Sequence, residues 1–189
     1  VFRRNHYPLK RLACDANKEI MNQMVRHGVN ISNRENLWST SAAVVRIKKD
    51  CLEWLQAGDA AIILVYGDGS HKVLVDREDH DHETLSLWKK LVSDQKKNAT
   101  GAGIKKDPET DVALLRRALD PQIKKVRLGM NVHYGVLNGE KKAEQFINQG
   151  DVPLKGVSDV LLFTDGLSIP NEIPEKHKNF GPLVKDYLT

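Results

Sequence analysis

The chain has 189 residues, enough for one domain with a buried core, and its 40% hydrophobic and 29% charged content excludes a disordered polypeptide. No run of 18 apolar residues exists, so a membrane-spanning helix is not expected. The net charge is +4, but the pairs Lys96-Lys97, Lys105-Lys106, Arg116-Arg117 and Lys124-Lys125 are scattered and no aromatic residue sits among them. That pattern argues for a solvated lysine-rich surface and against a nucleic-acid partner, which would need a basic stripe with stacking side chains.

In chain order, Leu9, Leu12, Ala16, Ile20 and Met24 recur at three or four residues, which predicts an amphipathic helix from Pro8 to about His27, capped by Gly28. Residues 30–36 are polar and read as a loop. Four strand-like segments follow: 41–47, 52–57 with Leu52, Trp54 and Gln56 on one face, 60–66 as a nearly continuous apolar run, and 70–75. The turns Lys48-Lys49-Asp50, Gly58-Asp59 and Gly67-Asp68-Gly69 are too short for parallel crossovers, so an antiparallel meander is expected.

Beyond it, 83–92 reads as a helix and 94–107 as a flap or mobile loop. A second helix is expected over 111–119, stopped before Pro121, and a third over 139–149, with Ala143, Phe146 and Ile147 inside and Gly150 as its stop. Residues 160–164 read as a buried strand ending at Asp165-Gly166, and a short helix closes the chain. Helices mixed with antiparallel strands predict an α+β fold, a single domain over 1–189. Two cysteines, Cys14 and Cys51, form no CxxC pair and read as free thiols of a cytoplasmic protein. The opening residues lack the apolar stretch of a signal peptide.

Two aspartates stand where chemistry is expected. Asp165 follows a buried strand directly, and Gly166 beside it permits close approach of a ligand. Such a rigidly held carboxylate suits a hard cation, though a plain turn has the same sequence. Asp59 falls between two apolar strands, where a carboxylate must be paired, liganded or exposed at a hairpin turn. Asp79-His80-Asp81-His82 reads as a solvated turn before a helix, and His133 as an exposed loop histidine that could serve as an acid or base. No G-x-S-x-G elbow, P-loop or dinucleotide fingerprint is present.

An apolar strand followed by Thr-Asp-Gly occurs in several families. Haloacid-dehalogenase-like phosphatases need an aspartate where Phe163 stands, and von Willebrand A domains need a D-x-S-x-S motif that this chain lacks. The chain resembles the metal-dependent protein phosphatases of the 2C type, in a divergent, bacterial-looking branch. The resemblance rests on 37–43 (Leu-Trp-Ser-Thr-Ser-Ala-Ala), 54–60 (Trp-Leu-Gln-Ala-Gly-Asp-Ala), Glu78-Asp79-His80 and 160–167, in that order over roughly residues 8 to 170.

The resemblance implies an antiparallel β-sandwich flanked by helices in α-β-β-α layers, incomplete here at both ends. It implies two or more Mn²⁺ or Mg²⁺ ions, with Asp165 as a ligand of the catalytic metals and Asp59 as ligand of an accessory ion; Ala60 replaces the usual serine. A metal-activated water would hydrolyse phosphoserine or phosphothreonine in a phosphoprotein substrate, and the 94–107 flap would help select it. The family's R-x-x-N-E-D and D-G-x-G-G segments, and its closing D-[DN]-x-[TA] strand, do not occur in the chain, so no catalytic residue is assigned. The alternative expectation is a catalytically degenerate phosphatase-like scaffold that binds a protein partner.

Overall fold

The structure, a computed structural model, describes residues 7–75, 82–102, 108–164 and 180–188. Its first helix, α1 (Leu9–Arg26), buries Leu9, Ala13, Asn17 and Met24 along one face. Gly28 ends it at φ 70°, where the Gly28 amide reaches the Val25 carbonyl and the Val29 amide that of Met24. These two bonds satisfy carbonyls that the last turn leaves open, and the left-handed backbone is one that glycine adopts without strain.

Among the described residues six strands follow the first helix: β1 (Ala42–Ile47), β2 (Cys51–Ala57), β3 (Ala61–Tyr66), β4 (His71–Val73), β5 (Asn148–Pro153) and β6 (Val157–Phe163). They form two small antiparallel sheets, ordered β1-β2-β5 and β4-β3-β6. With α2 (His82–Ala102), α3 (Pro108–Leu128) and α4 (Gly181–Leu188), the described residues make a mixed α+β fold with four helices.

Alternation along the strands determines what each sheet face covers. Leu55 and Ala57 of β2 pack with Leu9 and Ala13 of α1, while Leu52 clusters with Val152 of β5 and with Leu64 of β3, in the other sheet. Along β3, Ala61, Ile63 and Val65 pack with Phe163, Phe180 and Val184, the last from α4. The Phe163 and Phe180 rings meet edge to face at 5.4 Å. Strand β3 is thus buried on both faces, which is why its sequence is apolar without alternation.

Several expectations are corrected. The strands do not form one meander: β1-β2 and β3-β4 are hairpin pairs, but β2 and β3 belong to different sheets, and the chain turns from one to the other at Gly58-Asp59. Residues 94–102 are the helical continuation of α2 rather than a loop, with the good helix formers Gln95, Lys96, Lys97, Ala99 and Ala102 outnumbering the poor ones; 103–107 lie outside the described residues. Helix α3 runs through Pro121, whose ring removes one backbone donor without ending the helix.

The helix expected over 139–149 is only a 3-10 turn, Lys141–Gln145, followed by β5. Ala143 and Ile147 are nevertheless buried. Tertiary packing decides this segment: a Cβ on Gly150 would lie 3.0 Å from the Trp54 indole, so glycine lets β5 lie against β2.

Candidate functional site

Strand β2 enters the turn with Gly58 at φ 75°, and a Cβ there would stand 2.5 Å from Ser41 Oγ and 2.9 Å from Ser41 Cβ. Only glycine allows this approach of the turn to the start of β1. The buried Gln56 side chain donates to the Gly58 carbonyl and accepts from Asn148 Nδ2 at 2.9 Å. Ser41 Oγ donates to Asp59 Oδ1, and the Asp59 amide faces Ser41 Oγ at 3.4 Å. Asp59 is therefore held half-buried at a corner between sheets, not at the tip of a hairpin.

The β3–β6 register pairs Ala61 with Phe163, so the start of β3 after Asp59 and the end of β6 before Thr164 lie side by side. Together they open onto a pocket of 330 Å³ lined by Ser39, Thr40, Ser41, Asp59, Tyr134, Val136 and Thr164. Asp165 lies outside the described residues, as do Asp79, His80 and Asp81. Among the described lining residues Asp59 supplies the only carboxylate, and no described hydrogen bond engages its Oδ2. Among the described residues no three His, Cys, Asp or Glu side chains gather into a metal-sized group. Ser39, Thr40, Ser41 and Thr164 carry hydroxyls and Asp59 a carboxylate, so these lining residues offer oxygen atoms, the donor type that Mg²⁺ and Mn²⁺ prefer, although Thr40 Oγ1 already donates to the Ser41 carbonyl and Ser41 Oγ to Asp59.

The far wall of the pocket comes from 130–138. Thr40 and Leu137 exchange backbone hydrogen bonds at 3.0 and 2.9 Å, tying the segment to the start of β1. Behind it, Glu140 accepts from Arg34 Nε at 2.9 Å and from Asn138 Nδ2 at 2.8 Å, and Asn131 Nδ2 donates to Asn138 Oδ1 at 2.7 Å. Asn17 of α1 accepts from the Gly139 amide at 2.8 Å and donates to the Glu140 carbonyl at 3.0 Å. Burial pushes the Glu140 carboxyl upward most strongly of any single influence. The hydrogen bonds from Arg34, Asn138 and Asn131 and the Arg34 charge together outweigh it, leaving the carboxyl below its ordinary range.

A second cleft, of 480 Å³, lies beyond Tyr134, which lines both cavities. It is walled by the start of α2 (His82, Glu83), the end of α3 (Gln122, Lys125, Val126, Leu128) and the loop bearing Gly129 and His133. His133 is exposed and belongs to this cleft, whereas Asp59 belongs to the first. Sequence reasoning missed Tyr134, the second cleft and the Arg34–Glu140 network, because each depends on contacts between segments far apart in the chain. Ser41 and Thr164 stood inside motifs already singled out, but nothing in their spacing assigned them a part in the pocket.

No family model matches the chain, and no curated protein or solved structure matches it either.

Proposed function

We propose that the chain is a metal-dependent serine/threonine phosphatase domain of the 2C type. The observation that carries this reading is the convergence of two motifs singled out separately in the sequence. Asp59 and Thr164, the residue that follows β6, line one pocket, and Asp165 is the next residue of the chain. The shared cluster of Leu52, Val152 and Leu64, with α1 packed on β2 and α4 on β3, supports the finer reading of a sandwich in α-β-β-α order.

Asp59 and Asp165 would hold Mn²⁺ or Mg²⁺. Such ions, when bound, lower the pKa of a coordinated water and offset the charge of a phosphoryl group. The protein's own part is to keep Asp59 in one orientation through Ser41, and to wall the pocket with the segment braced by Arg34 and Glu140. No helix among the described residues is long and apolar enough to cross a membrane. A cytoplasmic location belongs to the same proposal.

The protein is expected to hydrolyse p-nitrophenyl phosphate with added Mn²⁺, and Asp165→Ala to lose that activity by about 100-fold, the scale of removing an electrostatic stabiliser of the transition state. A wild-type rate no higher than that of Asp165→Ala would overturn the enzymatic reading. Retained binding of a phosphopeptide in that case would favour the non-catalytic scaffold.

A further inference from the structure

Although its basic pairs are spread along the sequence, the net positive charge of the chain falls within one segment that includes α2 and α3. Residues 82–128 hold eleven lysines and arginines against six acidic residues, a net +5 in a chain of net +4. On α3, Leu114, Arg117, Lys124, Lys125 and Leu128 recur at helical spacing and share one side. Leu114 and Leu128 are 47% and 46% exposed, far above the expectation for a leucine stripe with a covering partner. Lys124 pairs with Asp120 at 3.0 Å, whereas Arg117 is exposed and makes no ion pair among the described residues. The stripe runs into the second cleft, where Lys125 reaches Glu83 at 2.7 Å in an exposed pair and the imidazoles of His82 and His133 line the walls.

Tyr134 separates this cleft from the Asp59 pocket, so an extended peptide occupying one enters the other within a few residues. From this juxtaposition we infer that the cleft and the Arg117–Lys125 stripe bind the acidic flank of the phosphoprotein substrate, its apolar residues against Leu114 and Leu128. The inference rests on the phosphatase reading for the identity of the partner. Charge complementarity selects an acidic segment, and the apolar lining of Val126, Leu128 and Tyr134 favours a peptide over a bare polyanion. Glu83 holds Lys125 in the free protein, so an incoming carboxylate must displace it.

The test measures fluorescence anisotropy of labelled phosphothreonine peptides in EDTA, where binding is read without turnover. One peptide has Asp, Glu and Leu flanks and the other neutral flanks; a single-stranded oligonucleotide of equal charge is the third probe. The acidic-flanked peptide is expected to bind about tenfold more tightly than the neutral one. Arg117→Glu should abolish that preference, Arg117→Lys should keep it, and Glu83→Gln should increase it severalfold by releasing Lys125. The neutral peptide should bind all four proteins alike, which separates a local charge effect from misfolding. An unchanged preference in Arg117→Glu and Glu83→Gln would overturn the inference, as would equal binding of the oligonucleotide. A variant-sensitive preference in a protein without Mn²⁺-dependent hydrolysis would sink the phosphatase chemistry and leave the docking surface standing.

Discussion

Gly58 and Glu140 show how single residues set the geometry of the pocket. A methyl group at Gly58 would collide with Ser41 Oγ and would also strain a backbone at φ 75°. Gly58→Ala is expected to destabilise the fold by about 1–3 kcal/mol and to displace Asp59 with it, read as a lower midpoint of urea unfolding. Glu140 supplies a pH dependence. Its folded carboxyl titrates below the ordinary range, so its contribution to stability is full above the unfolded pKa and is lost as pH falls through the folded one. Wild type should therefore exceed Glu140→Gln by about 1–3 kcal/mol at neutral pH, and the gap should shrink as pH drops below about 4.5. A gap that stays constant from pH 7 to pH 3 would show that ionisation of Glu140 contributes nothing to the difference.

Among the elements, those with strong local patterns are the ones the sequence announces. The periodicity of α1 and its terminal Gly28, the two hairpins and the apolar run of β3 all follow from side-chain spacing and turn chemistry. The elements that deceive are decided by contacts. Strand β5 reads Asn-Gln-Gly-Asp-Val-Pro, without alternation, and exists because Gly150 fits against Trp54 and its backbone pairs with β2. Helix α3 continues past Pro121, where local rules end it, at the loss of one backbone donor. Pro121→Ala restores a helical donor at an exposed position and should stabilise the protein by about 1–3 kcal/mol, raising the thermal midpoint. A lowered midpoint would mean that the proline ring makes a packing contribution larger than the backbone bond it removes.

For the whole molecule, the arrangement of the two sheets explains why the pocket exists. Gly58-Asp59 is the corner at which the chain leaves one sheet for the other, and the second sheet brings the end of β6 beside that corner. The two motifs were legible separately from the strand-plus-aspartate pattern. Their meeting was not, because it depends on β3 pairing with β6 across most of the chain. The wall formed by 130–138 was equally hidden, since its position is set by Arg34, Asn17 and Thr40 from the opposite end of the sequence. The α2–α3 hairpin then adds a charged rim beyond Tyr134, on the far side of that wall.

Mn²⁺ titration of the protein tests the proposed divalent-metal site at Asp59 and Asp165 without any need for turnover. The loss of the free-ion electron paramagnetic resonance signal reports binding. Wild type should bind Mn²⁺ saturably, and binding should weaken about tenfold or more in Asp165→Ala and measurably in Asp59→Asn, because each substitution removes a carboxylate from the proposed hard-cation site. Binding of equal strength in wild type and in both variants would contradict it.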